Sequence, residues 1–290
     1  MNRSRVLFAG RSTLDALYWL DQIPAEDTKA YARVFSAAPG GPALNAAVTH
    51  SLMGGEAMLV SAVGRGPWAD LVRLELARRS IGLIDIAEGT SYETPLATVL
   101  IGKRNSSRTI VNPPLSDVAL GSLTGSWQAV VPAEWDCVPP VVLCDGFYLD
   151  RIFPLLAACH KSGASLCLDG GSWKPGTGEL APLLTAAICS ERFVVPGVEP
   201  GAEAVLDWFA ALGVPSVAVT RGPRAILALD RGRRFQVDIA PIEAVDTLGA
   251  GDVLHGAFSN LFASEQNFEP ALRRAAQIAT LSCKNHGILC

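Results

Sequence analysis

Between residues 245 and 258 the chain reads Val245-Asp246-Thr247-Leu248-Gly249-Ala250-Gly251-Asp252-Val253-Leu254-His255-Gly256-Ala257-Phe258. Apolar residues at 253, 254, 257, 258, 261 and 262 recur at helical spacing, so Gly249-Ala250-Gly251 reads as a loop feeding a helix N-terminus. The first amides of a helix have no partner within it, and the helix dipole places positive charge at the same end. Glycines at 249 and 251 let a ligand approach that backbone without meeting a Cβ. The loop is therefore a cradle for an anion, above all a phosphate. A carboxylate beside such a cradle repels the anion unless its charge has a task. Asp252 can take the proton of an attacking hydroxyl while the amides of Gly249, Ala250 and Gly251 steady the phosphoryl group in transfer. The competing role for an Asp ahead of an apolar helix is a simple cap. An ordinary aspartate is ionised at neutral pH, so the base role is expected to need no large pKa shift.

Such a loop needs a scaffold, and the rest of the chain supplies one. Short apolar runs at 6–9, 59–63, 141–144, 166–168, 193–195 and 216–219 suit strands buried on both faces. Amphipathic stretches at 71–79, 153–161 and 202–212 lie between them. This alternation predicts an α/β fold, a doubly wound, mostly parallel sheet flanked by helices, in a single domain over 1–290. Two stretches break the pattern with period-2 strands, within about 12–36 and 94–112, and carry turn residues at Pro24-Ala25-Glu26-Asp27 and Lys103-Arg104-Asn105-Ser106. They predict hairpins paired into a small β-sheet lid.

Composition narrows the partners. The 290 residues carry 24 Lys+Arg against 28 Asp+Glu, and the one basic cluster is Arg231, Arg233 and Arg234, so no nucleic-acid-tracking surface is expected. No run of eighteen uncharged apolar residues occurs, and Arg11 and Asp15 interrupt the N-terminal apolar run, so neither membrane insertion nor a signal peptide is expected and the location is read as cytoplasmic. Seven cysteines without a C-x-x-C pair read as reduced thiols. The histidines at 50, 160, 255 and 286 are not paired at ligand spacing and are assigned no chemistry.

Asp-Thr-x-Gly-Ala-Gly-Asp at 246–252 resembles the signature of the ribokinase-like (PfkB) family of carbohydrate kinases. Pro39-Gly40-Gly41-Pro42-Ala43-Leu44-Asn45-Ala46-Ala47 is similar to that family's other signature, and Gly-Gly followed by Pro also suits a turn into a helix on its own terms. The resemblance implies Asp252 as base with Gly249, Ala250 and Gly251 as the anion hole. It also implies a sugar site from Asp15, Lys29, Gly41, Asn45, Arg108 and Asn112, and a nucleotide site from Thr220, Gly222, Arg224 and Cys283, with 276–287 as the adenine-side helix. ATP and Mg²⁺ are the implied cofactors, with activation by a monovalent cation left open, and exposed lid edges point to a homodimer joined through the lids. Leu168-Asp169-Gly170-Gly171-Ser172-Trp173-Lys174 and Cys283-Lys284-Asn285-His286-Gly287 are most similar to the ketohexokinase-like branch.

The chain also departs from the family pattern. Pro42 stands where many members carry a sugar-binding Asn, and Ser190-Glu191-Arg192-Phe193 replaces the metal-associated Asn-x-x-Glu motif. Lys29 with Gly-Gly-Pro-Ala is similar to the sulfofructose kinase branch, but Phe147 stands where that branch would have an arginine. Three other readings compete with a sugar kinase. A nucleoside kinase would use the same machinery, and a non-catalytic sugar or nucleotide sensor would keep the cleft without turnover. Gly64-Arg65-Gly66-Pro67-Trp68-Ala69, with Asp85 about twenty residues on, fits the loose dinucleotide-binding pattern.

Overall fold

The computed structural model of the chain describes residues 3–104, 107–114, 116–123 and 126–284. In chain order its first half runs β1 (Arg5–Ala9), β2 (Thr13–Leu20), β3 (Val34–Gly40), α1 (Pro42–Leu52), β4 (Glu56–Ser61), α2 (Pro67–Arg78), β5 (Gly82–Asp85), β6 (Leu96–Gly102) and β7 (Ser107–Val111). The second half runs β8 (Val141–Cys144), α3 (Leu149–Lys161), β9 (Ser165–Gly170), α4 (Thr177–Leu180), β10 (Ala186–Ser190), α5 (Ala202–Ala211), β11 (Ser216–Arg221), β12 (Arg224–Asp230), β13 (Arg233–Val237), α6 (Ala250–Glu265) and α7 (Phe268–Ser282).

Among the described residues nine strands form one sheet in the order β13-β12-β11-β10-β9-β8-β1-β4-β5. The seven from β11 to β5 are parallel, and β12 and β13 add an antiparallel edge. Val6, Leu7, Phe8 and Ala9 on β1 are wholly shielded, as a strand covered on both faces requires. One face packs on α1, α2, α6 and α7 through Leu44, Val72, Phe258 and Leu272, and the other on α3 and α5 through Ile152, Leu156, Leu206 and Phe209. From β1 the chain builds outward through β4 and β5, then returns to place β8 on the other side. The sheet order thus reverses between β1 and β8, and a crevice for ligands is expected beyond their C-terminal ends.

The stretches expected to form a lid make a second sheet, in the order β3-β2-β6-β7. The two expected hairpins are present as antiparallel pairs, and they join through a parallel pairing of β2 with β6. Leu17, Val99 and Ile101 form a small apolar cluster on this sheet, and Leu248 of the glycine loop packs against it.

Two details, the run 193–195 and the end of the last helix, differ from the sequence reading, and one competing motif is held by its own fold. The apolar run 193–195 is not a strand, and the strand in that region is β10, just before it. Phe193 and Val195 are buried in a loop instead, with Phe193 tilted against Trp173 and Phe209. The dinucleotide-like turn after β4 is held from within, because Asp85 accepts the amides of Val63, Gly64 and Ala87 at 2.9 Å each and pairs with Arg73 at 2.7 Å. A carboxylate engaged in this way is unavailable to a ribose hydroxyl. The adenine-side helix expected at 276–287 corresponds to α7, which ends at Ser282, and residues 285–287 lie outside the described residues.

Candidate active site

Gly249 opens α6 in a left-handed conformation, so Ala250, Gly251 and Asp252 are its first three helical residues. Their N–H groups belong to the turn that has no partner further up the helix, and the cradle expected from sequence is the N-terminus of α6. The loop before it is pinned at two points. Asp246 accepts the amide of Leu248 at 2.8 Å, and the carbonyl of Cys283 at the end of α7 accepts the amides of Val245 and Asp246 at 2.8 and 3.2 Å.

Asp252 does not cap its helix. Its side chain turns to α1, where Asn45 Nδ2 donates to Oδ2 at 2.7 Å. That contact needs α1 and α6 to cross closely, and Gly256 permits it, since a Cβ there would lie 2.3 Å from the carbonyl oxygen of Ala46. Pro42 is the first residue of α1, behind Gly41 at φ +99°, a backbone geometry that excludes most other residues. Sequence reasoning passed over Gly256, although a small residue repeated at helical spacing after Asp252 was the available signal.

Four carboxylates converge here. Asp145 follows β8 at the switch point and accepts the amides of Arg11 at 2.8 Å, Phe147 at 3.0 Å and Ala43 at 3.3 Å. It thus ties the exits of β1 and β8 to the start of α1. Burial raises its pKa to about 7 against the lowering pull of those amides. Asp169, near the end of β9, is buried and also raised, with the charges of His255 and Lys174 opposing the shift. Asp15 on β2 is raised by burial and eased by a 2.7 Å bond from Thr13 Oγ1 and by the charge of Arg11.

Asp252 is pushed up to about 8, first by desolvation and then by the charge of Asp169, with Asp15 and Asp145 adding to it and Asn45 opposing. The sequence reading of an ordinary ionised aspartate is corrected on this point, because burial among like charges makes its ionisation costly. A carboxyl that exchanges its proton near neutral pH is well matched to general acid–base work.

The remaining expected residues divide into two groups. Arg108 on β7 reaches the glycine loop, donating from Nη1 to the carbonyl of Thr247 at 3.0 Å and to its hydroxyl at 3.2 Å. Thr220 lies at the end of β11, where its hydroxyl donates to the carbonyl of Cys189 at 3.3 Å, and Gly222 forms the turn into β12. Cys283 is buried beside the loop, with its thiol raised by that burial. Lys29, between β2 and β3, and Asn112, just after β7, are exposed and not drawn into the cluster. Arg224 is also exposed and pairs with Glu191. Among the described residues no group of three or more His, Cys, Asp or Glu side chains could hold a metal ion, and no helix is long and apolar enough to cross a membrane.

An α/β sheet covered by helices on both faces with a crevice at its switch point, a helix N-terminus suited to an anion and a carboxylate beside it has the parts of a phosphoryl-transfer site. A family model for the pfkB family carbohydrate kinases matches residues 5–289. The chain belongs to this family and is a carbohydrate kinase, a phosphotransferase acting on a sugar hydroxyl. It is 21% identical to the ribokinase of Bacillus subtilis over 281 residues, spanning 96% of this chain and 92% of that protein. Its fold is similar to that of a candidate ribokinase from Agrobacterium tumefaciens, with 26% identity and a TM-score of 0.82 over 99% of this chain and 93% of that one. It shares the fold of the Arabidopsis thaliana ribokinase solved with ribose and ATP, at 20% identity and a TM-score of 0.74 over 99% and 94% of the two chains. Likeness to mouse ketohexokinase is partial, 25% identity over 111 residues, or 38% of this chain and 37% of that protein. The chain is ribokinase-like, and its likeness to the ketohexokinase-like branch is partial.

Proposed function

We propose that the enzyme transfers the γ-phosphoryl group of magnesium-bound ATP to a hydroxymethyl-type hydroxyl of a small sugar. The acceptor oxygen bonds to the γ-phosphorus, the bond from that phosphorus to the β,γ-bridging oxygen breaks, and ADP leaves. Asp252 receives the hydroxyl proton, and the amides of Gly249, Ala250 and Gly251 hold the oxygens of the migrating group. Asp15, Gly41, Asn45 and Arg108 grip the sugar under the lid, with Lys29 and Asn112 on its outer side. Thr220, Gly222, Arg224 and the Cys283 region receive the nucleotide. Magnesium enters with the donor's phosphates, its usual way of binding in such sites.

The single observation that carries this reading is the bond from Asn45 to Asp252, because it joins the implied sugar-side helix to the carboxylate at the cradle. The exposed residues Val34 and Phe35 on one lid edge, and Ile110 and Val111 on the other, support a homodimer that pairs through the lids. The test is a coupled ADP-release assay across ketohexoses, pentoses, sulfosugars and nucleosides. Release with at least one sugar is expected, and its loss in Asp252→Asn. Silence on every acceptor would favour the sensor reading, and turnover of nucleosides alone would move the acceptor class.

A further inference from the structure

Among the described residues His255 is the one histidine whose charge is felt by this carboxylate cluster, and the mechanism above leaves it unused. It follows Asp252 on α6 by three residues and is 5% exposed. Its Nδ1 lies 2.8 Å from the carbonyl oxygen of Gly251 and 3.3 Å from Oδ2 of Asp169, and its Nε2 lies 3.1 Å from the carbonyl oxygen of Ile188. The nearest neighbour, the Gly251 carbonyl, is an acceptor, so the contact at Nδ1 needs the ring proton on Nδ1, which donates to that carbonyl. Ile188 and Asp169 are register partners on β10 and β9, so the ring rests on one rung of the sheet while holding the first turn of α6.

The contact with Gly251 has a direct geometric consequence. A peptide unit is planar, and the carbonyl of Gly251 shares its plane with the N–H of Asp252. Holding the oxygen end fixes the direction in which that N–H points, away from the sheet floor and out of the open end of the helix. We propose that His255 is a positioning residue for phosphoryl transfer: by bracing the Gly251 carbonyl against the β9–β10 rung it aims the Asp252 amide, the next N–H of the turn after those of Gly249, Ala250 and Gly251, at the migrating group. This inference rests on the kinase reading above. It extends that reading by giving the anion-holding turn a side chain that keeps it in register, which a helix N-terminus alone does not have.

The test compares His255→Asn, His255→Gln and His255→Phe with the wild type, on whichever acceptor the ADP-release assay identifies, with thermal melting as the check on folding. An Asn amide stands in for Nδ1 and keeps the bonds to Gly251 and Asp169, whereas a Gln amide stands in for Nε2 and keeps only the bond to Ile188. The expected kcat order is wild type, then Asn, then Gln and Phe together, with Phe lower by roughly tenfold to a hundredfold, the scale of a small misplacement at a reacting centre. KM for sugar and for ATP should stay within about twofold, as for a group that acts on the transition state. Full kcat in a folded Phe variant, a rise in KM at constant kcat, or better rescue by Gln than by Asn would overturn the proposal. If the Phe variant does not fold, the ranking of Asn against Gln decides. A wild type silent on every acceptor overturns the kinase reading and this one with it, whereas an active wild type matched by its variants overturns this one alone.

Discussion

The deep corner of the site and its lid are held in very different ways. In the corner, Asp145 is fixed by three backbone amides, Asp252 by Asn45, and α1 meets α6 at Gly256 with no space for a methyl group. Among the described residues the small sheet's own apolar cluster is built on Leu17, Val99 and Ile101 with partly buried Trp19 and Ala38, and its Arg108 is exposed. Its links to the glycine loop are the packing of Leu248 and the two bonds from Arg108 to Thr247. The difference follows from what each part must do. Groups that stabilise a transition state must be in place before the reaction, whereas a cover over a sugar must open to admit it. On the proposed reading the small sheet opens and closes over the sugar, and the loop that both halves share is where that closure would reach the cradle.

The sharpest way to break the comparison is at Asp252. Asp252→Asn should lower turnover by on the order of a hundredfold or more, the scale of a positioned acid–base group, with nucleotide binding retained. The same change should raise stability, and the sign follows from linkage. The carboxyl titrates near 3.8 in an unfolded chain and at about 8 in the folded one, so the fold favours its protonated form. Its contribution to stability is complete below about pH 4 and is lost as pH rises through about 8. Melting curves should therefore show the Asn variant ahead of wild type at pH 8 and level with it near pH 4. The kcat/KM for sugar in the wild type should climb with pH toward about 8, since that ratio reports the free enzyme. Equal melting points at pH 8 would mean the corner carries no stored charge repulsion, and the contrast with the lid would lose its electrostatic half.

The sequence reveals the two parts to different depths, for physical reasons. Strands covered on both faces leave continuous apolar runs, so β1, β8, β9 and β11 are legible, and the lid shows through its change of period. The run at 193–195 misleads because a loop buried under aromatic rings is as apolar as a strand. The edge strand β13 escapes notice because Arg233 and Arg234 give it the look of solvent-facing chain. Within the site, the glycine signature identifies Asp252, since the amides of the anion-holding turn lie within three residues of it along the chain. The raised pKa of Asp252 comes from Asp169, Asp15 and Asp145, and the partners of His255 include Ile188 and Asp169, all remote along the chain. Only the fold brings them together.

Smaller effects are expected on the lid side, and they sharpen the comparison. Arg108→Ala should raise the sugar KM by roughly tenfold and the ATP KM far less, as loss of one charged contact to a ligand would. Its present bonds are to the glycine loop, so equal rises in both KM values would assign it to the nucleotide side instead. The mildest change is Leu248→Ala, which removes the side chain that the lid cluster packs against. Because Leu248 is only half-buried, global melting should move little. Local opening should change more, since few other apolar contacts hold that sheet to the loop, and amide exchange in β2 and β6 should speed up while α1 and α6 stay protected. With the lid less often closed, kcat should fall by a few-fold. If exchange accelerated equally in α6, the corner and the lid would be one cooperative unit, and the division between a rigid half and a mobile half would not hold.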